Sequence, residues 1–290
     1  MAKTLKKLAE ASGFGKGAKL LETFALPAVG FSLSPQRDCP VGSSRLGGGP
    51  DVTGDFEWPE DGGRRLDFVL QLNLADVAAV DPATTLPRSG LLSFFYDMEH
   101  QPWGFDPKQL SGHAVRYFPD PSALHRVPAP DDEVALAEAA LAFWPTRTLP
   151  YFGSRAWDRL QKALKSKHGK KIDFDALDQL SEGLWEATSP GEDAPLHWIG
   201  GNAANVQGDM QLEAQLVMNG LYCGDSSGYH DPRAAKLEKT CEEWSLLLQL
   251  DSDDEGGFMW GDVGRLFFWI RDSDLARGDF SRVWMTLQCS

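Results

Sequence analysis

The segment from Asp251 to Asp262 places oxygen ligands at the spacing of a calcium-binding loop. Asp251, Asp253 and Glu255 occupy positions 1, 3 and 5, Gly256 occupies position 6, and Asp262 occupies position 12. Calcium loops of this type end in a bidentate glutamate and lie between two helices. Here the last ligand is the shorter aspartate and the flanking runs are typical of strands. The pattern therefore favours an acidic hairpin turn, and we predict no metal.

A G-x-S-x-G sequence from Gly224 to Gly228 places Ser226 close to His230 and Asp231, the residue types of a hydrolase triad. A nucleophilic serine of this kind follows a strand and precedes a helix, whereas the surrounding residues are typical of a loop. Triad members also usually lie far apart in sequence. With Cys223 the loop offers metal ligands, but their spacing fits no standard zinc pattern. A hydrolase or metal-dependent enzyme using the 223–231 or the 251–262 loop therefore stays an alternative function.

The candidate ligand-binding residues are amide, aromatic, histidine and carboxylate side chains near two glycine-rich segments. Gln71 and Gln249 each lie in an apolar run, where the amide must bond either to backbone groups or to a ligand. Aromatic rings beside a histidine could line a pocket, and core packing is the alternative interpretation. The predicted set is Trp58, Gln71, His197, Gln207, Gln249, Trp260 and Asp262.

The elements that would position these residues occur in two similar series. The first consists of SRLGGGPDVTGDFEWP (44–59), LDFVLQLNL (66–74) and LPRSGLLSFFYD (86–97), and the second of HWIGGNAANVQGDMQ (197–211), EWSLLLQLDS (243–252) and GRLFFWIRD (264–272). The apolar runs predict strands, and the clusters of glycine, proline and aspartate predict turns. Because the motifs agree in order, we interpret them as an internal duplication, in which Gln71 and Gln249 would be related by a pseudo-twofold axis.

Helical periodicity precedes the first series and separates it from the second. The predicted helices cover Lys3–Phe24, interrupted at Gly13 and Gly15, then Val134–Phe143, closed by Pro145, and the regions of Trp157–Leu164 and Phe174–Leu184; an extended strand is predicted over Ala25–Ser34. The predicted fold class is α+β, a single domain over 1–290. Two β-rich repeats, about 25–125 and 195–290, form a mixed or antiparallel sheet assembly. A helical insert covers about 131–190.

The amino-acid composition limits the classes of partner that this protein is expected to bind. The 290 residues include 28 lysines and arginines against 42 aspartates and glutamates, a net charge of −14, which repels nucleic acids and anionic membrane surfaces. No apolar run approaches the roughly 20 residues of a membrane span, and no signal peptide is recognisable, so we expect a cytoplasmic protein. The four scattered cysteines are expected to be reduced thiols.

The motifs quoted above resemble the YwqG-like bacterial family (domain of unknown function 1963). The resemblance covers about Pro27–Cys289. Family members usually have a GGxPxLP run before a tryptophan-proline pair. Trp58 and Pro59 are retained here, but 52–54 lack the family's hydrophobic and proline positions. The resemblance implies an α+β fold and no established activity, and it supplies no catalytic residues.

The duplication, the acidic charge and the lack of a complete catalytic set together favour a non-enzymatic module. We predict that it binds a small ligand or a protein partner, both unidentified, in a cleft between the repeats, without a cofactor. A further alternative is an acidic, immunity-type antagonist of a basic toxin.

Overall fold

The computed structural model describes residues 2–34, 38–54, 56–81, 83–129, 135–169, 173–191 and 194–289. The strands are β1 Leu26–Ser34, β2 Arg45–Leu46, β3 Asp51–Val52, β4 Glu60–Asp61, β5 Arg64–Arg65, β6 Asp67–Asn73, β7 Leu91–Tyr96, β8 His113–Phe118, β9 His125–Arg126, β10 Ala139–Thr148, β11 Trp198–Gly200, β12 Trp244–Asp251, β13 Arg265–Arg271 and β14 Trp284–Gln288. The α-helices are α1 Ala2–Ala11, α2 Ala18–Phe24, α3 Leu74–Val80, α4 Arg155–His168, α5 Phe174–Glu186, α6 Met210–Val217, α7 Ala234–Leu237 and α8 Asp272–Leu275.

One antiparallel sheet of ten strands dominates the fold. Its order is β14-β13-β12-β11-β1-β10-β2-β6-β7-β8, and two small two-stranded sheets, β3-β9 and β4-β5, are separate from it. The long apolar runs form β6, β7, β12 and β13 because their side chains are buried on both faces of the sheet. The predicted α+β class with an antiparallel sheet is confirmed.

Four strands lie on each side of the central β1-β10 pair, β2-β6-β7-β8 on one side and β11-β12-β13-β14 on the other. The two sets agree in strand order and in the register of their second and third strands. In one half Leu70 of β6 pairs with Phe94 of β7, and in the other Leu248 of β12 pairs with Phe268 of β13. Each pair stands directly after a β-bulge. The rings of Phe94 and Phe268 pack edge to face, with centroids 5.0 Å apart. Side chains of both halves therefore share one apolar core.

The two ends of the sheet approach each other. His113 at the start of β8 forms a hydrogen bond of 3.0 Å from Nε2 to the carbonyl oxygen of Val283, just before β14. The Leu287 N–H of β14 donates to the carbonyl oxygen of Trp103 over 3.0 Å. Segments of the first half therefore lie along β14.

Helices cover the outer surface of the sheet. A second apolar cluster joins α6 to β12 and β13, around Trp244, Trp269 and Met210. A third cluster is formed by α1, α2, α4 and α5, around Leu21 and Leu160. The helices predicted in these regions and the strand predicted over Ala25–Ser34 are present, whereas α6, β8 and β14 were not predicted. No helix in the described ranges is long and apolar enough to cross a membrane.

The helix predicted over Val134–Phe143 is wrong. Val134 lies outside the described residues, 135–138 have no regular structure, and the following residues form β10. The alanine-rich run suits a helix locally, but nine residue pairs with β1 override that preference. Proline lacks the N–H that a strand donates, but Pro145 is tolerated in β10. Opposite Val29, its nitrogen faces away from β1, toward the side of β2. Because β2 pairs only with Ala139 and Ala140, no strand of the described ranges lies there to accept a hydrogen bond.

Candidate functional site

The amide of Gln71 bonds to the ends of the first glycine turn. Its Nε2 donates to the carbonyl oxygen of Ser43 over 2.8 Å and to Asp51 Oδ2 over 2.7 Å. Its Oε1 accepts from the Asp51 N–H over 3.0 Å. Gln71 is fully buried, so its hydrogen-bonding capacity is used within the protein.

The amide of Gln249 makes equivalent bonds in the second half. Its Nε2 donates to the carbonyl oxygen of Leu196 over 2.8 Å, and its Oε1 accepts from the Ala204 N–H over 2.8 Å. Like the first turn, this one carries two consecutive glycines at positive φ, Gly200 and Gly201. Both glutamines therefore hold the loops in place and do not point their amides at an open pocket.

A buried charged cluster under the first glycine turn was missed by the sequence interpretation. The Arg45 guanidinium is fully buried, donates to the carbonyl oxygens of Gly47 and Gly49, and lies 3.2 Å from Asp51 Oδ1. Arg126 donates to Asp51 over 2.8 Å. Burial alone would raise the pKa of Asp51, but hydrogen bonds from Arg126 and other donors hold that pKa below its ordinary value. The sequence feature that could have indicated this cluster is the arginine within a buried strand.

His197 has both ring nitrogens occupied. Its Nδ1 accepts from the Asp251 N–H over 3.0 Å, so Nε2 carries the proton that it shares with Asp253 Oδ2 over 3.1 Å. The ring is fully buried and stacks on Phe31, with centroids 5.2 Å apart. His197 thus fastens the acidic hairpin to the sheet, and its imidazole has no nitrogen free to act as a base.

Asp251 and Asp253 of the 251–262 hairpin accept hydrogen bonds from other groups of the protein. Asp251 bonds to Arg265 Nε and to the Leu196 N–H, each over 2.9 Å, and Asp253 Oδ1 accepts from Gly256 over 3.0 Å. Across the described ranges no group of three or more histidine, cysteine, aspartate or glutamate side chains is placed to hold a metal ion. The segment joins β12 to β13, as the predicted hairpin turn requires.

The loop at 223–231 does not assemble a triad. The ring of His230 bonds through Nδ1 to the backbone oxygen of Ser226 over 2.7 Å, while Asp231 is paired with Arg233 Nε over 2.9 Å. Burial raises the pKa of Cys223 to about 12, which leaves its thiol protonated. The residue types of the motif are present, but their side chains do not converge on one reacting atom.

The other predicted candidates are scattered. Trp260 is fully buried and donates to the carbonyl oxygen of Asp251 over 3.2 Å, whereas Asp262 and Gln207 are exposed. Trp58 is half-buried and lines a shallow cavity of about 590 Å³ with Phe56, Arg65 and His125 among its neighbours. The structure therefore brings together only His197, Gln249 and Trp260, around the base of the hairpin.

A cleft opens in the sheet where β11 ends. This strand has three residues, but its neighbours β1 and β12 have nine and eight. Beyond the end of β11, Leu26 and Pro27 of β1 face Trp244–Leu247 of β12 across a cleft of about 350 Å³. None of the seven predicted candidates lines this cleft.

The cleft has an apolar floor and a polar rim. Buried side chains line the floor: Val29, Ile199, Leu246, Leu247, Trp269 and Ile270. The first half contributes Asp81 and 83–86, and Ser154 lies at the N-cap of α4. Asn202, Asn205 and Gln211 come from the segment that joins β11 to α6. The cleft thus has the mixture of apolar surface and converging polar groups typical of ligand sites.

Ion pairs fix the charged part of the rim. Asp209 accepts from the Gln211 N–H over 3.1 Å at the start of α6 and lies 2.8 Å from Arg155 Nε. Burial raises the pKa of Asp209, and the nearby Arg155 partly offsets this effect. Arg159 is paired with Glu242.

Residues 44–289 match a family model described as Domain of unknown function (DUF1963). The match covers most of the chain. The chain belongs to the DUF1963 family. A comparison with curated proteins found no match.

The DUF1963 match begins just before β2, so it contains both series of flanking strands and leaves out α1, α2 and β1. Most of the cleft lining, including Trp269 and Asp209, lies within the matched residues. Three other lining residues precede the matched residues: Leu26, Pro27 and Val29.

Proposed function

We propose that this DUF1963 chain is a non-enzymatic binding protein whose cleft at the end of β11 accepts a small ligand. The observation that carries the proposal is the early end of β11, which leaves a gap in the middle of the sheet. Its volume of about 350 Å³ lies within the range of small-molecule sites. Asp81 and 83–86 belong to the first half and β12 to the second, so a ligand in this cleft would contact both halves.

We also propose that the sheet arose by internal duplication. The matching bulges, strand order and glutamine hydrogen bonds support this origin. The halves differ at the position of the cleft. Val29 pairs with Ile199 and Ala139 pairs with Leu46, which makes Leu26 the counterpart of Leu136. Leu136 is 6% exposed but Leu26 is 45% exposed, so the second half is open at a position that the first half closes.

The types of polar residue in the cleft, and the bonds that they already make, support the proposal that the protein is not an enzyme. The described residues that line the cleft include neither histidine nor cysteine. Among the described lining residues, the carboxylates of Asp209 and Glu242 are each paired with an arginine, and that of Asp81 accepts from the Ala83 N–H over 3.1 Å. A general base needs a titratable group that can reach the reacting atom, and these carboxylates already accept bonds from the protein. The predicted hydrolase, metal-dependent enzyme and toxin antagonist stay predictions, because no arrangement of described residues favours any of them.

Ligand binding can be tested by fluorine NMR of protein labelled with 5-fluorotryptophan, using pools of small organic compounds. A cleft ligand is expected to shift the resonances of Trp244 and Trp269 and to leave that of Trp58 unchanged. Ala156→Phe, which fills the mouth of the cleft from α4, should abolish the shifts, whereas Ser166→Phe on the exposed part of α4 should not. If compounds bind but shift neither tryptophan, or if Ala156→Phe has no effect, the proposed site is wrong.

A further inference from the structure

The segment that follows β11 corresponds to a short strand of the first half. Asp51 of β3 and Ala204 each donate the backbone N–H to the buried glutamine of their own half. Each also lies five residues after a matching position of the preceding short strand, Leu46 in β2 or Ile199 in β11. The segment 203–205 is therefore the counterpart of 50–52. Its members match in order, Ala203 with Pro50, Ala204 with Asp51 and Asn205 with Val52.

In the first half this segment is paired with another strand of the same chain. The two residues of β3 pair with the two residues of β9. Beyond them, the Val127 N–H donates to the carbonyl oxygen of Pro50 over 3.0 Å. Because backbone bonds alternate along an antiparallel pair, Val52 and His125 form the next bonded pair. Between these bonded positions, Arg126 directs its N–H away from β3.

In the second half the corresponding backbone groups have no strand beside them. Ala203 and Asn205 lie in no strand, and neither forms a backbone-to-backbone hydrogen bond within the described part of the chain. Ala203 is only 6% exposed, and buried backbone groups are normally paired. Both residues line the cleft. The cleft therefore adjoins a segment whose counterpart in the first half bonds to β9.

The strands on both sides of β11 also have free edges at the cleft. β11 pairs with β1 only at 28–30 and with β12 only at 248–249. Among the described strands, the cleft-lining positions 26–27 and 244–246 of these neighbours therefore have a strand partner on one side only. An extended peptide can add to free edges of this kind as a further strand. The cleft thus has the backbone features of a site for an extended chain.

The charges of the lining favour a peptide of positive charge. Three described lining residues are acidic, Asp81, Asp209 and Glu242, and one is basic, Arg159. Two of these carboxylates are paired with arginines, so the remaining excess is small. We expect it to select among peptides, with strand pairing supplying most of the binding, since complementary charge mainly gives specificity.

We infer that the ligand of this cleft is a short, extended peptide of positive charge, which pairs antiparallel with residues 203–205 as β9 pairs with β3. The inference rests on the proposed function of the cleft. Asn205 donates its N–H to the peptide, and the carbonyl oxygen of Ala203 accepts an N–H from it. The pairing covers three residues, about 10 Å of extended chain. Alternate side chains of the peptide contact the apolar floor around Val29 and Ile199.

The probe is a capped hexapeptide with the sequence SALHRV, which copies residues 122–127 around β9. In protein labelled with 5-fluorotryptophan, the peptide is expected to shift Trp244 and Trp269. Trp58, which lies beside β9, should not shift, and Ala156→Phe should abolish the shifts. Hydrogen exchange followed by ¹⁵N NMR should show the amide of Asn205 exchanging at least about tenfold more slowly in the complex.

Two N-methylated peptides are matched controls for the strand pairing. In the inferred complex the valine amide of the peptide donates to Ala203, whereas the arginine amide points away from 203–205. Methylation of the valine amide should therefore weaken binding about tenfold or more, and methylation of the arginine amide should change it by less than about threefold. A third peptide, with glutamates replacing histidine and arginine, should bind more weakly than the original because it meets the acidic rim.

The outcomes separate the peptide from the site. If compounds of the pools shift Trp244 and Trp269 but SALHRV does not, the inferred peptide is wrong and the cleft proposal stands. Equal effects of the two N-methyl groups, or an unchanged exchange rate of Asn205 in the complex, would overturn the strand pairing. A shift of Trp58 alone would show that the peptide has replaced β9, and the inference would again be wrong.

The charge preference has its own outcome. If the glutamate peptide binds as tightly as SALHRV, the inferred positive charge is wrong. If neither these peptides nor any compound of the pools perturbs Trp244 and Trp269, both the inference and the proposed function fail.

Discussion

The side chains of Gln71 and Gln249 hold their glycine turns by the same pair of backbone groups, a carbonyl before the turn and an N–H after it. For Gln71 these groups belong to Ser43 and Asp51. For Gln249 they belong to Leu196 and Ala204. Each amide thereby closes a loop at the point where a short strand, β2 or β11, leaves the sheet. The second of these loops forms one side of the cleft, so the cleft depends on a buried amide outside its lining.

Replacing Gln249 with leucine should therefore destabilise the protein. The variant leaves the carbonyl of Leu196 and the N–H of Ala204 without their bonds inside the core, and each such group costs about 1–3 kcal/mol. We expect a loss of about 2–5 kcal/mol in the free energy of unfolding, measured with urea. The control is Gln207→Leu, at an exposed position, where a change within about 0.5 kcal/mol is expected. A similarly small loss for Gln249→Leu would contradict the role assigned to this amide.

The strands with strong local signals could be predicted from the sequence. The runs that form β6, β7, β12 and β13 are mostly apolar and are bounded by turn residues. Their burial could therefore be predicted without knowing which strands they pair with. The segment before and within β10 could not be read this way. Its alanines fit the spacing of a helix, and the segment forms a strand only because it pairs with β1 over nine residues.

The candidate site was predictable only in part. Gln71, Gln249, His197 and Trp260 were predicted as ligand-binding candidates, and the structure shows their polar atoms bonded to protein groups. The cleft was not predicted in its actual position. It depends on the difference in length between β11 and its neighbours and on the approach of α4, neither of which has a local sequence signal.

Gly104 should be irreplaceable by alanine. Its φ is +85°, and a methyl group there would collide with the carbonyl oxygen of Met285 in β14. The neighbouring Trp103 accepts the bond from Leu287 that keeps this loop along the edge of the sheet. We expect Gly104→Ala to cost about 2–4 kcal/mol of stability and to lower the melting temperature. Gly208→Ala is the control, since a methyl group at Gly208 meets no atom within 4 Å. Equal stabilities of the two variants would show that the loop does not pack tightly against β14.

The four cysteines should react slowly in the native protein. Cys39, Cys223, Cys241 and Cys289 are all buried thiols. Burial raises the pKa of the Cys223 thiol to about 12 and that of Cys241 to about 11, so little thiolate exists near neutral pH. With Ellman's reagent we expect native thiols to react on the order of a hundredfold more slowly than after denaturation. Ser166→Cys, at an exposed position of α4, supplies a fast-reacting control. Rapid labelling of Cys223 would instead mark the 223–231 loop as a reactive site.

Glu213 should make the stability of the protein fall as the pH rises. Burial raises the pKa of this carboxyl on α6 to about 7, although hydrogen bonds from Thr286 and Tyr229 partly oppose the shift, and the like charge of Asp209 adds to it. The folded state therefore holds a proton that the unfolded chain releases near pH 4.5, and the stability is lost between about pH 4.5 and about pH 7. Glu213→Gln should be more stable than the natural protein by at most about 3 kcal/mol at about pH 8.5 and nearly equal to it at about pH 4.5, measured by urea unfolding. The exposed Glu243→Gln should show no such crossover. If Glu213→Gln is no more stable than the natural protein at high pH, Glu213 is already ionised in the folded state without cost, and the cluster beneath α6 is open to water.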